Sequence, residues 1–180
     1  MSNLGRLSGG VGLSGPVDAK SFANLLLTWA DSIGVKISPM KLQKLIYYCH
    51  ADFLVQRGFP LVDQEFEAWE YGPVIPSIFH EFKKHGSGAI NSRAHRFDPA
   101  VCGVVEAPLC RLGDDEEFVK GLFDIYVRYS ASALSNMSHS ERGPWAETLR
   151  RFAAGSHKGR CIENRTIEKH HRRPIEQSVH

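Results

Sequence analysis

Two segments constrain the fold more than any others, KLQKLIYY at Lys41 to Tyr48 and EAWEYGPVIP at Glu67 to Pro76. Ser38-Pro39 precedes the first. A serine caps a helix N-terminus through its hydroxyl, and proline occupies the first helical position without losing a needed N–H. A helix therefore starts here. Apolar residues recur at Leu42, Leu45, Ile46, Cys49 and Phe53, a stripe at helical spacing that predicts the core-facing side. Lys41, Lys44, Tyr48 and Asp52 are then expected on a more polar face. In the second segment Trp69 and Tyr71 stand just before Gly72-Pro73, a dipeptide expected to turn the chain, and Pro76 falls in the first turn of a following helix. The bend should present aromatic side chains.

The other elements follow from spacing and punctuation. Asp18 is an N-cap for a helix carrying Phe22, Leu25, Leu26, Trp29 and Ile33 and ending near Gly34, and its apolar face is expected on the Leu42 stripe. Between Pro60 and Trp69 the pattern shortens to alternation, which predicts one short extended piece in a small sheet or hairpin. The helix after Pro76, with Ile78, Phe79 and Phe82, should stop at Lys83-Lys84-His85-Gly86, where cations meet the negative helix end and glycine allows a left-handed cap. Residues 87–112 carry scattered Gly, Pro and Asn with Val101, Val104 and Val105, an irregular excursion with at most a short strand. Asp114 and Glu117 predict a capping-box start for a helix bearing Phe118, Leu122, Ile125 and Tyr129, followed by a short helix over Ala131 to Met137. The fold class is mainly α: a compact helical single domain with minor short β-strands or a hairpin.

At 180 residues and 42% hydrophobic content the chain can bury one substantial core, and a second autonomous domain would be cramped. The expected organisation is a flexible Gly/Ser-rich tail over 1–17, a domain over 18–168 and a basic tail over 169–180. No apolar run approaches the roughly 20 residues of a membrane helix, and no signal-peptide pattern is present, so a cytoplasmic location is expected with no membrane partner. Cys49, Cys102, Cys110 and Cys161 are too few and dispersed for a disulfide scaffold. Cys49 and His50 are adjacent, which on a helix points their side chains about 100° apart, and CxxC and HExxH spacings are absent. No metal or cofactor is expected. Gly9-Gly10-Val11-Gly12 lacks both the preceding strand and the Lys-Ser or Lys-Thr of a phosphate-binding loop.

These residues resemble the Panacea domain of SocA-like antitoxins, a family also known as phage-associated proteins. The resemblance continues through Tyr126, then Ser132 to His139 followed by Pro144-Trp145, which look like the family's "LS..TH...PW" region with Ser138 where threonine is more usual, and into a closing helix at Ile162 to Ile167. It covers about Ala19 to Ile167. What it implies is a binding role: the antitoxin of a toxin–antitoxin pair, neutralising a cognate protein toxin by direct contact, with some members resembling adaptors that hand the toxin to a Clp-type protease. No enzymatic activity is implied, and the toxin's identity is not.

The candidate partner-binding residues are Lys41, Lys44, Tyr48, Trp69, Tyr71, Gly72, Pro73 and His139. Interface hot spots favour Trp and Tyr on rigid supports, and Trp69 and Tyr71 could equally be core anchors, while Trp145 is expected in the core. His139 lies among serines and near Glu141, which invites a catalytic triad, yet the chain has no G-x-S-x-G elbow, and a lone histidine at a helix-to-loop junction more often caps or orients the loop. The alternative function is a DNA-binding transcriptional autoregulator. From Ser156 onward the chain carries net +3 against +2 for the whole, so the rest is −1, and this basic segment could meet phosphates. Nucleic acid is thus the competing partner, without a helix-turn-helix signature to read bases.

Overall fold

The computed structural model describes residues 12–155 and 160–172. The first helix, α1 (Ala19–Ser32), is capped by Asp18, whose carboxylate accepts the Ser21 N–H at 2.8 Å. Phe22, Leu25 and Leu26 turn inward. Helix α2 (Pro39–Arg57) begins at Ser38, with its hydroxyl 3.4 Å from the Lys41 N–H, and ends at the left-handed Gly58. Burial is almost continuous from Leu42 to Leu54, on every side of the helix. The cause is packing: α1, β2 (Gly72–Val74), α3 (Pro76–Phe82), α4 (Glu116–Tyr126), α5 (Ala131–Ser138) and α7 (Asn164–His171) all touch α2.

The extended piece expected before Trp69 is β1 (Phe66–Trp69), which pairs antiparallel with β2 and with β5 (Cys161–Ile162), in the order β2-β1-β5. The bend is displaced from its expected place. Glu70 and Tyr71 form the turn, Trp69 pairs with Gly72 and Ala68 with Pro73, so Gly72-Pro73 lies inside the edge strand. An edge strand tolerates proline because one row of its backbone groups has no ladder partner.

After α3 a 3-10 turn over Lys83–His85 leads to Gly86, as the stop signal predicted. The excursion is more regular than expected: β3 (His95–Asp98) and β4 (Gly103–Glu106) form a two-stranded ribbon with Phe97, Val101 and Val104 exposed. Its base is held by buried Asn24, whose Nδ2 donates to Ala94 O and Ala107 O and whose Oδ1 accepts the Ala94 N–H at 2.7 Å. The Asp114–Glu117 capping box does not form. A 3-10 turn over Gly113–Asp115 opens α4 instead, and the Asp115 carboxylate binds Arg57 Nε at 2.7 Å and the Leu13 N–H at 3.1 Å. That second bond corrects the expected tail. Residues 12–17 dock on the domain, and Val17 forms a parallel bridge with Val62, while 1–11 lie outside the described residues.

The α5 expectation holds to within one residue. A further helix, α6 (Pro144–Ala153), starts at the proline the sequence placed before Trp145 and packs on β1, β5 and α7. Ile162 belongs to β5, and α7 runs to His171, so the expected boundary at 168 falls within a helix. The rest of the basic tail, 173–180, lies outside the described residues. Among the described residues no helix is long and apolar enough to cross a membrane.

Candidate partner-binding site

Side chains from three helices donate to backbone carbonyls of the β1–β2 hairpin. Trp145 Nε1, at the second position of α6, donates to Trp69 O at 2.7 Å. His139, the C-cap residue of α5, donates from Nε2 to Glu70 O at 3.0 Å. Ser135 Oγ, one turn earlier on α5, donates to Tyr71 O at 3.1 Å. Lys44 Nζ, from α2, donates to Pro73 O at 2.9 Å. Because a carbonyl only accepts, the His139 proton is assigned to Nε2. The His139 and Trp145 rings meet edge to face, with centroids 4.3 Å apart. Gly72 fits against this clamp: its φ is +95°, and a Cβ there would lie 2.7 Å from Lys44 Nζ and closer still to Ser138 Oγ.

The polar-face reading of α2 is corrected at two positions. Lys44 has a relative exposure of 0%, and among the described residues no carboxylate pairs with its ammonium. Burial pushes its pKa down to about 7. Tyr48, at 5%, donates to Leu134 O at 3.2 Å and stacks on Tyr126 with centroids 4.9 Å apart. Lys41 is half-buried, and its Nζ donates to Val127 O, the C-cap of α4, at 2.7 Å. The reason is that α2 has covered faces all round, so its polar side chains reach across to backbone carbonyls of neighbouring elements instead of to water. Gln43, which sequence reasoning passed over, does the same: Nε2 donates to Ile75 O at 3.1 Å and Oε1 accepts the Ile75 N–H at 2.9 Å.

The remaining candidates divide. Trp69 and Trp145 are half-buried; the Trp69 ring meets Phe79 with centroids 4.9 Å apart, and its Nε1 donates to Glu67 Oε2 at 2.7 Å. Tyr71 is 59% exposed at the tip. Beside it lies a groove of about 400 Å³ between the start of α2, the hairpin and α3, walled by Pro39, Met40, Trp69, Val74 and Phe79. Met40, Phe79 and Ser135 were not among the expected site residues. The Ser135–His139 pair had a signal, since residues four apart share a helix face. Met40 and Phe79 had none beyond being apolar.

A second cavity of about 420 Å³ is bordered by Arg142, Lys169, His170 and Arg172. Most of that charge is already paired. Glu147 accepts from His170 at 2.6 Å and Lys169 at 3.0 Å, bonds that draw its carboxyl down to about 2, and Arg172 bonds Glu168. Arg165 in turn bonds Glu163, which leaves little of the basic segment free for phosphates among the described residues. Cys49 is fully buried and its thiol pKa is raised by that burial.

No solved structure matches the chain. It is 40% identical over 131 residues, 72% of its own length and 69% of the other's, to the protein named Antitoxin SocA of Caulobacter vibrioides (strain NA1000 / CB15N). The family profile described as "Antitoxin SocA-like, Panacea domain" matches residues 42–146, a span that contains α2 from Leu42 onward, the hairpin and all four clamping donors, Trp145 near its end. On both grounds, the chain belongs to the SocA-like antitoxin family built on the Panacea domain.

Proposed function

We propose that this chain neutralises a cognate protein toxin by direct contact, with the tip of the β1–β2 hairpin and the adjoining groove as the contact surface. One observation carries the reading: four side chains from three helices hold the hairpin's carbonyls, and the fixed turn leaves Tyr71 exposed beside an apolar groove. A loop held in one shape before binding loses less entropy on binding, and tyrosine on a rigid support is a residue type on which interface energy concentrates. The name of the Caulobacter relative supports the antitoxin role. A catalytic reading has less to draw on, because His139 Nε2 is committed to Glu70 O and the Cys49 thiol is buried and neutral.

The test is growth of cells expressing the product of the neighbouring gene, alone and with this chain, followed by co-purification. Growth arrest should be relieved by the wild-type chain and less well by Tyr71→Ala, whose circular dichroism should be unchanged. A harmless neighbour, or full protection by Tyr71→Ala, would overturn the reading. Relief accompanied by disappearance of the toxin, dependent on a Clp-type protease, would assign delivery to the protease in place of occlusion.

A further inference from the structure

We infer that the groove beside Tyr71 receives an acidic amphipathic helix of the partner protein; this rests on the antitoxin reading and specifies the chemistry of the partner. The walls supplied by Met40, Trp69, Val74 and Phe79 are apolar, and Met40 is 38% exposed. About 400 Å³ accommodates a few apolar side chains, the number one helix face projects over two turns. A helix is selected over a strand because backbone pairing is closed off at this edge. Pro73 has no N–H, its carbonyl is taken by Lys44, and the far side of β1 is already paired with β5. A partner must therefore engage through side chains.

Charge selects the acidic partner. Lys83 lines the groove and Lys84 follows it, both are exposed, and among the described residues neither forms an ion pair. Below the hairpin the Lys44 ammonium also has no carboxylate partner, so the field at the floor is positive in its charged form. Glu70 at the tip is the acidic residue on the lining, leaving the cations in excess. An arriving helix with carboxylates on the flank facing α3 would meet Lys83 and Lys84 while its apolar residues enter the groove. Rim charges of this kind act mainly on the association rate and on the choice of partner.

The probe is an array of peptides of about 20 residues, long enough for several helical turns, tiling the neighbouring gene's product, with the intact product as a second ligand and the full-length chain as receptor. Bound peptides should be acidic and apolar at positions i, i+3, i+4 and i+7. Met40→Asp should weaken binding about 100-fold, as burying an unpaired carboxylate at an interface centre does. The pair Lys83→Glu with Lys84→Glu should weaken it about tenfold, with a smaller salt dependence than wild type. Phe97→Asp, on the exposed ribbon, should bind as wild type does. Basic, neutral or proline-rich bound peptides, an intact product that binds Met40→Asp normally, or no bound peptide at all would each overturn the inference. So would self-association of this chain abolished by Met40→Asp, which would give the groove to a second copy. Neutralisation in the growth assay is scored separately, so toxin protection that survives Met40→Asp removes the groove without removing the antitoxin.

Discussion

Gly72 sits at φ +95° with the Lys44 ammonium and the Ser138 hydroxyl pressed against the place where a Cβ would be, so two separate constraints meet at one residue. Gly58 shares only the first, with φ +76° and nothing within 4 Å. Placing alanine in left-handed backbone costs about 1–2 kcal/mol, and forcing side chains in a packed interior to shift adds about 1–3 kcal/mol. Gly58→Ala should therefore lose about 1 kcal/mol in urea unfolding and Gly72→Ala about 3 kcal/mol or more. Equal losses would mean that the contact with Lys44 and Ser138 relaxes freely. At this scale the sequence named the residue but misjudged its role. Gly72-Pro73 was expected to be the bend because Gly-Pro usually is, whereas the strand pairing moved the bend to Glu70-Tyr71 and left glycine needed for clearance.

Helix α2 shows how side chains in one element can organise backbone in others. Lys41 ends α4, Gln43 holds Ile75 by two bonds, Lys44 covers the edge of β2, and Tyr48 reaches into α5. Gln43→Leu keeps the helix and the volume but strands the Ile75 N–H in a residue only 1% exposed, while the Ile75 carbonyl keeps the Ile78 and Phe79 N–H donors of α3. One unsatisfied buried group costs about 1–3 kcal/mol, so a loss of about 2 kcal/mol is expected. Ser38→Ala, which removes the long cap bond of the same helix, should cost about 0.5–1 kcal/mol; urea midpoints that rank the two the other way would show that Ile75 finds water. Caps, helix spacing and glycine stops were legible because they are local: Asp18, Ser38, Gly34 and Gly86 stand where such residues begin or end helices. The clamp was not. A lysine at helical spacing reads as a solvated face unless the elements covering it are known, and those that cover Lys44 come from 29 residues away at the nearest bond. The same is true of Asn24, whose partners lie 70 and 83 residues on.

Across the whole molecule, the segments that meet at α2 are tied by one buried histidine. His50 is 0% exposed, donates from Nε2 to Asn164 Oδ1 on α7 at 3.0 Å, and accepts the Val62 N–H on Nδ1 at 3.4 Å, beside the bridge that Val62 makes to Val17. The neutral ring alone satisfies both contacts, since imidazolium has no acceptor for Val62. Burial accordingly lowers its pKa to about 4 from 6.5. Between those values the unfolded chain binds a proton that the folded chain refuses, so stability is complete above pH 6.5 and falls as the pH drops through this window. At 1.36 kcal/mol per pKa unit the loss by pH 4 is about 3 kcal/mol, a large share of the roughly 5–15 kcal/mol that holds a domain folded. Glu147 acts lower: drawn down to about 2 from 4.5 by His170 and Lys169, it releases its contribution only below pH 4.5. The two windows can therefore be separated by urea titrations at a series of pH values. His50→Gln should be less stable than wild type at pH 7 yet lose less between pH 6.5 and 4, keeping the share of His171, whose pKa burial also lowers. Glu147→Gln should keep the upper slope and flatten the lower one. Parallel curves for wild type and His50→Gln between pH 6.5 and 4 would show that the acid sensitivity arises elsewhere, and that the junction of α2 with α7 admits a charged ring.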